Sequence, residues 1–308
     1  MSDALHPSPT DSAEPANLSG WRRLVRFSRK PRKQQYLSLM TRLQSRFRSL
    51  PIPIRLSCGA WYMAGDSELD QRILYDLFEH AEAQFIQRYL QPGMTVLDIG
   101  AHHGFYSLIA SRAVYPGGAI HSFEPSSRER AQMQRNLRLN RCANLTLHSN
   151  ALGAQSGRAR LFLVQGNQDG CNSLRQPDGV AATISVEVEV MPLDEFLKEH
   201  GLQNVDFLKM DVEGAEFSVL QGASGLLNSA QRPVILAEVS DLRTKAWGYP
   251  AREILAHLEQ KGFRWFEPVA QGRLVAADRR LGSYDHNLVA VPEEKMERIR
   301  PFLQQVSP

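Results

Sequence analysis

Two acids and a glycine turn, in a fixed order, give this 308-residue chain its clearest chemical signal. An apolar run ends at Asp98, a turn follows from Gly100 to Gly104, and Glu124 stands 20 residues after Gly104. This is the layout of a nucleotide-binding βαβ unit, in which the turn backs onto the ligand and the second acid takes the ribose hydroxyls. A carboxylate at Asp98 would repel a pyrophosphate, but it would attract the ammonium and sulfonium groups of S-adenosylmethionine. The pattern therefore predicts a methyl-donor site.

The glycine spacing supports the same choice of ligand. The turn reads Gly-x-x-x-Gly and lacks the middle glycine that lets a backbone approach a dinucleotide pyrophosphate. This argues against an NAD-dependent dehydrogenase, although Glu124 alone would suit either cofactor. We expect Gly100 and Gly104 to let the backbone approach the donor, and Glu124 to accept hydrogen bonds from both ribose hydroxyls.

Three further polar residues lie near the expected donor. His102 is placed to donate a hydrogen bond to the donor carboxylate, with a solvated histidine as the alternative. His102 and His103 make a poor metal pair, because adjacent side chains in a tight turn are expected to diverge. Asn150, after the third predicted strand, either borders the adenine or forms an Asx turn before residues 151–153. No metal ligand is assigned, and metal dependence stays open.

A second acidic group follows a later buried strand. Asp211 and Glu213 leave this strand into a turn, and Glu216 begins the next helix, where an acid favours the helix dipole. Two carboxylates at a strand end in a cleft repel one another. Because this arrangement costs stability, it indicates a functional role for both acids. We expect Asp211 and Glu213 either to act as general base on an acceptor hydroxyl or to bind a divalent cation together with Glu238.

The elements that must position these acids alternate along the chain. Strands are predicted at 95–98, 119–123, 145–149, 205–210 and 234–239, with helices at 67–90, 215–227 and 251–261 between or beside them. Strands that alternate with helices indicate an α/β fold with a doubly wound, mostly parallel sheet, whose ligands bind at the carboxyl ends of the strands. Two further alternating segments, 158–164 and 184–190, predict either an inserted hairpin or edge strands. The polar loop 166–180 between them is expected to overhang the site.

Charge divides the chain unevenly. Residues 1–50 carry ten lysines and arginines against three acids, so the remaining residues carry 26 against 30 and are mildly acidic. We expect residues 1–20 to be disordered, 21–50 to form a basic arm, 51–93 a lead-in segment with a helix, 94–292 the main domain, and 293–308 a C-terminal helix or tail. The arm either contacts an anionic membrane or acidic partner, or packs one apolar stripe on the body.

Composition excludes several protein classes. No run approaches the ~18 apolar residues of a membrane-spanning helix, and the polar N-terminus does not resemble a secretory signal. The three cysteines are scattered singly, without metal-binding spacing, which favours a reducing cytoplasm. Because the basic charge belongs to the arm, no nucleic-acid partner is expected for the main domain.

Taken in order, these motifs resemble the FkbM-type methyltransferase family. The likeness runs from about 90 to 291 and is carried by the segments 96–104, 123–125, 150–153, 193–197, 209–216 and 287–292. The resemblance implies a class I methyltransferase fold of the Rossmann-like type. It also implies S-adenosylmethionine-dependent O-methylation, with a hydroxyl of a sugar, glycan or secondary metabolite as acceptor. The family usually has asparagine at the position of His102, and histidine can also donate a hydrogen bond there.

Two alternatives stay open from the sequence. Methyltransferases that act on nucleic-acid amines commonly carry an Asn/Asp-Pro-Pro-aromatic turn after the fourth strand, which residues 211–214 do not form. A non-catalytic module that kept the fold, recruited to a membrane or nucleic acid through the basic arm, is disfavoured by the intact Asp98 and Glu124.

Overall fold

The structure is a computed structural model that describes residues 51–166, 169–177 and 182–304. The expected disordered segment 1–20 and basic arm 21–50 lie outside the described residues, as does the possible membrane contact assigned to that arm. Within the described part of the chain, no helix has both the length and the apolar character needed to cross a membrane.

Eight strands form the central sheet, and parallel strands make up its core. Five of them are β3 (Thr95–Ile99), β4 (Ala119–Phe123), β5 (Leu145–His148), β9 (Phe207–Met210) and β10 (Val234–Ser240). These pair in parallel in the order β5-β4-β3-β9-β10. The chain moves from β3 to one side through β4 and later returns to the other side through β9. The ends of β3 and β9 therefore mark the switch point where ligands bind in such sheets.

The remaining three strands close the sheet beyond β10. They are β11 (Phe263–Val269), β12 (Arg273–Ala276) and β13 (Asp285–Pro292). Strand β13 inserts antiparallel between β10 and β11, and β12 forms the outer edge. The predicted doubly wound, mostly parallel α/β sheet is confirmed.

Helices cover both faces of the sheet because its buried strands are apolar on both sides. Along β3, Val96 packs into one core, whereas Leu97 and Ile99 belong to the other. The helices are α1 (Glu68–Leu74), α2 (His80–Tyr89), α3 (Phe105–Val114), α4 (Ser127–Asn140), α5 (Leu193–Glu199), α6 (Glu216–Gln221), α7 (Ser224–Leu227), α8 (Asp241–Thr244), α9 (Arg252–Glu259) and α10 (Met296–Ile299).

Two smaller sheets flank the central one. Strands β1 (Ile52–Arg55) and β2 (Trp61–Ala64) form a hairpin ahead of α1. Strands β7 (Gly157–Val164) and β8 (Thr183–Met191) pair antiparallel, and the short β6 (Ala151–Leu152) joins β8. The predicted inserted hairpin is therefore confirmed, whereas the β1–β2 hairpin has no counterpart among the expected elements.

Two predicted helices are interrupted. The expected helix at 67–90 splits into α1 and α2, because Asp76 and Glu79 adopt left-handed backbone conformations with φ of 63° and 40°. The expected helix at 215–227 likewise divides into α6 and α7. Apolar periodicity continues into the second half of the first helix, whereas Gly222, at the end of α6, marks the second break.

Helix α4 begins after Ser126, but Ser126 and Glu129 do not form the capping box that their spacing is typical of. The Ser126 hydroxyl donates to the Glu129 carboxylate instead of accepting from a helix N–H group. The Ser126 N–H group donates to Glu124 Oε1 at 2.8 Å. In a capping box, the Glu129 carboxylate would accept from the Ser126 N–H group. Here Glu124, which precedes the helix, accepts from it instead.

Candidate active site

A cavity of about 250 Å³ opens at the carboxyl ends of β3, β4, β9 and β10. Most of the candidate site residues from the sequence line this cavity. They are Asp98, Gly100, His102, Glu124, Asn150, Asp211, Glu213 and Glu238. The two that do not line it are Gly104 and Glu216. The switch point of the sheet thus brings the donor acids and the second acidic group to one cavity.

Asp98 forms the floor of this cavity and is 2% exposed. Its Oδ2 accepts a hydrogen bond from the Ser107 hydroxyl at the start of α3. Its Oδ1 is buried, and among the described residues no hydrogen-bond donor reaches it. Burial raises the pKa of Asp98, and the Lys209 charge opposes this shift. An acceptor oxygen without a partner at the cavity floor fits a cationic group of a ligand.

Glu124 ties the two loops of the donor side together. Its Oε2 accepts from the His102 N–H group at 2.9 Å, and its Oε1 accepts from the Ser126 N–H group. Burial raises the pKa of Glu124 to about 7, although both backbone donors lower it. Each carboxylate oxygen keeps a second lone pair, so Glu124 still has the capacity to accept from a ribose.

The two glycines of the turn allow neighbouring segments of the protein to pack closely against it. A Cβ on Gly100, where φ is +81°, would lie 1.8 Å from the Asp211 carbonyl oxygen. A Cβ on Gly104, where φ is +85°, would meet the Met133 side chain at 2.9 Å. Gly100 therefore allows the ends of β3 and β9 to pack together, and Gly104 allows α4 to pack behind the turn.

His102 also has a left-handed backbone, with φ of 48°. Asparagine and histidine tolerate this conformation better than most residues, which explains how histidine replaces the asparagine usual in the resembled family. The expectation that His102 and His103 diverge is wrong, since their ring centroids lie 3.8 Å apart at an interplanar angle of 33°. Because the His102 backbone is left-handed, its side chain and that of His103 point in similar directions.

Asn150 lies at the rim, just after β5. Its Nδ2 donates to Glu189 at 3.5 Å. Among the hydrogen bonds of the described residues, none joins this side chain to the backbone of residues 151–153. The Asx turn, which the sequence left as an alternative, is therefore not formed.

Asp211 stands beside a lysine for which the sequence suggested no definite role. Lys209 is 3% exposed, and its Nζ donates to Asp211 Oδ2 at 2.7 Å. Although burial lowers the pKa of Lys209, the carboxylates of Asp211 and Glu79 raise it above its usual value. The two residues are two positions apart, so strand alternation places them on the same side of the sheet.

Glu213 and Glu238 share a second cation. Arg243 Nε lies 2.8 Å from Glu213 Oε2 and 3.8 Å from Glu238 Oε1. One ligand atom each of Asp211, Glu213 and Glu238 lie within 4.8 Å of one another. Burial, and after it the Asp211 charge, raise the pKa of both glutamates well above the usual range. The expected grouping of these three acids is present, with a cation on either side.

Glu216 has a different role from the other acids. Its Oε1 accepts from the N–H groups of Val212 and Gly214, at 2.9 and 3.3 Å. Glu216 therefore closes the turn that carries Glu213, much as Glu124 closes the donor turn. Helix α6 has only six residues, so its dipole is small. The two hydrogen bonds therefore account for the presence of an acid at position 216 better than the helix dipole does.

The outer wall of the cavity comes from the loop after β7 and from α1 with the turn after it. Residues 170–174 line it, as expected for a loop that overhangs the site, and so do Glu68, Arg72 and Glu79 from α1 and the turn after it. The Tyr106 hydroxyl donates to Glu79 from below. Residues 268–286 do not line the cavity. Local sequence could not predict Glu79 or Arg243, because both arrive from distant segments.

Comparison with known proteins identifies the family. The family model described as the methyltransferase FkbM domain matches residues 98–265, more than half of the chain. "Methyltransferase 1" of Beauveria bassiana is 32% identical over 143 residues, which are 41% of this chain and 57% of that protein. The chain thus spans somewhat more than half the length of this relative.

The chain is also similar to two further proteins. "2-O-methyltransferase NoeI" of Sinorhizobium fredii is 28% identical over 200 residues, covering 61% of this chain and 78% of that protein. The solved O-methyltransferase from Bacillus cereus, in complex with SAH, has a TM-score of 0.42 and 13% identity, and covers 73% of this chain and 88% of that one. On the strength of the family model, this chain belongs to the FkbM methyltransferase domain family.

Proposed function

We propose that this protein is an S-adenosylmethionine-dependent O-methyltransferase that acts on a hydroxyl of a sugar, glycan or secondary metabolite. One observation carries the proposal. A single cavity holds Asp98 and Glu124 on the donor side and Asp211, Glu213 and Glu238 on the other. The name of the Sinorhizobium relative, a 2-O-methyltransferase, supports oxygen as the acceptor atom.

The donor side suits S-adenosylmethionine by its charge and its free acceptors. The buried Oδ1 of Asp98 would take the ammonium group, and Glu124 would take the ribose hydroxyls. Gly100 and His102 present the backbone of the turn, and Asn150 borders the adenine at the rim. Gly104 acts behind the turn, where it lets α4 support it.

The acceptor side is built to receive a proton. When bound, S-adenosylmethionine supplies a methyl group on a cationic sulfur, and transfer breaks the S–C bond as the O–C bond forms. An alkyl hydroxyl must lose its proton in this step, and we assign Asp211 as the base. Lys209 holds Asp211 in place through a hydrogen bond to its Oδ2.

The acidic group of Asp211, Glu213 and Glu238 has a cation on either side. Lys209 pairs with Asp211 at 2.7 Å, and Arg243 pairs with Glu213. Glu213, which Arg243 holds at 2.8 Å, is assigned to orient the acceptor hydroxyl.

The test combines donor binding with methyl transfer. We expect calorimetry of the whole chain to show binding of S-adenosylmethionine and none of NAD. Labelled methyl from the donor should then appear on the oxygen of one member of a panel of sugars and polyhydroxylated metabolites, detected by mass spectrometry. Transfer to an amine, or preference for NAD, would contradict the proposal.

A further inference from the structure

We propose that His102, His103 and Glu129 form a binding site for a divalent transition-metal ion beneath the donor turn. One ligand atom from each of the three lie within 4.8 Å of one another. The cluster shares no residue with the acidic group of Asp211, Glu213 and Glu238.

The chemistry of the three groups suits zinc. Two imidazoles and one carboxylate are among the commonest ligand sets of Zn²⁺ sites that keep one position open. Glu129 is 0% exposed and His103 is 6% exposed, whereas His102 is half-buried. Glu129 Oε1 accepts from Arg128 Nε at 2.6 Å, and its Oε2 accepts from the Ser126 hydroxyl. Each of these carboxylate oxygens keeps a second lone pair with which it would bind a metal ion.

A buried carboxylate orients one of the histidines. Asp70, which is 1% exposed, lies 3.1 Å from His103 Nδ1. Because a carboxylate only accepts, the ring proton belongs on Nδ1, and Nε2 becomes the ligand atom of the neutral ring. Metal-binding histidines typically donate their second nitrogen to a carboxylate in this manner.

Asp70 is itself fixed in place. Its Oδ1 accepts from the Tyr62 hydroxyl at 2.6 Å, and its Oδ2 accepts from the Gly65 N–H group at 2.7 Å. The β1–β2 hairpin thus supports a carboxylate that has no partner in the methyl-transfer chemistry. The lead-in segment, which precedes the residues matched by the family model, would thus support the metal site.

The backbone brings the second histidine to the same place. The left-handed conformation of His102 sets its ring 3.8 Å from the ring of His103. The His102 N–H group also donates to Glu124, and both histidines line the donor cavity. Metal binding is therefore coupled to donor binding. This consequence, unlike the metal site, rests on the proposed function.

The experiment titrates the whole chain with Zn²⁺ alone by calorimetry, without donor. We expect one equivalent to bind, and His103→Gln and Glu129→Gln each to lose it. Asp70→Asn should weaken zinc binding by about 10–100-fold, the usual effect of removing the carboxylate behind a ligand histidine. The matched control is His148→Gln, which alters the separate His121–His148 pair and should bind zinc as the wild type does. Circular dichroism checks that each variant is folded.

A folded wild-type chain that binds no zinc would overturn the proposal. So would zinc binding that survives unchanged in both His103→Gln and Glu129→Gln. A second titration with S-adenosylmethionine, with and without bound zinc, tests the coupling, and we expect zinc to lower the donor affinity. Because zinc binding is measured without donor, its failure leaves the donor site untouched, and failure of donor binding leaves the zinc result intact.

Discussion

Asp98 and Lys209 are register partners on the adjacent parallel strands β3 and β9. The buried lysine therefore lies beside the donor acid, while its Nζ pairs with Asp211 at 2.7 Å on the acceptor side. One cation thus separates two carboxylates that would otherwise repel each other across the switch point of the sheet. This pairing lets a single cavity hold Asp98 and Asp211, to which we assign donor binding and proton uptake.

Replacing Asp98 should remove donor binding without harming the fold. In Asp98→Asn the volume is kept, but the charge that attracts the ammonium is lost. A hydrogen bond to a charged group contributes about 1.5–3 kcal/mol, so we expect donor affinity to fall at least tenfold by calorimetry. The free energy of unfolding should not decrease, because burial disfavours this carboxylate in its ionised form. Unchanged donor affinity would remove Asp98 from the site.

Donor binding should strengthen as pH rises through the pKa of Glu124. Burial raises that pKa from 4.5 to about 7, so the folded chain holds the proton more tightly than the unfolded chain does. The resulting stability is present at low pH and is lost as pH rises toward about 7. Because the ionised carboxylate accepts stronger hydrogen bonds, donor affinity should increase between about pH 6 and about pH 8.

The control for this pH dependence is Glu124→Gln, which keeps the shape of the side chain and cannot ionise. Its donor affinity should be lower than that of the wild type above about pH 7, and the rise with pH should be reduced. Parallel pH profiles for both proteins would show that another group is responsible.

Asp211→Asn should separate binding from turnover. The amide keeps the size of the side chain but takes up no proton, so we expect methyl transfer to fall by about 10²–10⁴-fold with donor affinity within about threefold. Turnover is measured with labelled donor, and donor affinity by calorimetry. Glu187→Gln, which changes a well-exposed acid paired with Arg158, serves as the control and should retain full activity. Normal turnover of Asp211→Asn would restrict this residue to a structural role.

Gly100→Ala should destabilise the protein far more than its matched control. Gly93→Ala places a side chain at φ of +88° with nothing within 4 Å, so it measures backbone strain alone, about 1–2 kcal/mol. At Gly100 the same strain applies, and the new Cβ would also clash with the Asp211 carbonyl oxygen at 1.8 Å. Urea unfolding should give a clearly larger loss for Gly100→Ala. Equal losses would show that β3 and β9 separate easily.

Asn150→Ala should weaken donor binding modestly and leave stability nearly unchanged. Its side chain forms one long hydrogen bond, at 3.5 Å, and none to the backbone of the following turn. Loss of a neutral hydrogen bond to the adenine is worth about 0.5–1.5 kcal/mol, so affinity should fall by about 2–10-fold. A loss of stability with unchanged donor affinity would assign Asn150 to the loop instead.

The sequence by itself determined the sheet and most of its rim. Period-2 and continuous apolar runs mark the strands, because a buried sheet must be apolar on its covered faces. Asp98 lies near the end of β3, and Glu124 and Asp211 directly follow β4 and β9, so the parallel arrangement brings all three to one edge. The donor class follows from the charge at Asp98 and from the glycine spacing, which are local features.

Tertiary structure alone decided which groups those acids meet. Lys209 lies two residues before Asp211 and on the same side of the sheet. Only the pairing of β9 with β3, however, places Lys209 beside Asp98. Glu79 and Arg243 reach the cavity from segments far away in the chain, and Asp70 reaches His103 through α1. The stacking of His102 on His103 depends on a single left-handed residue, which side-chain patterns do not encode. Local sequence fixes where a strand ends, whereas side-chain partners depend on packing between segments distant in the chain.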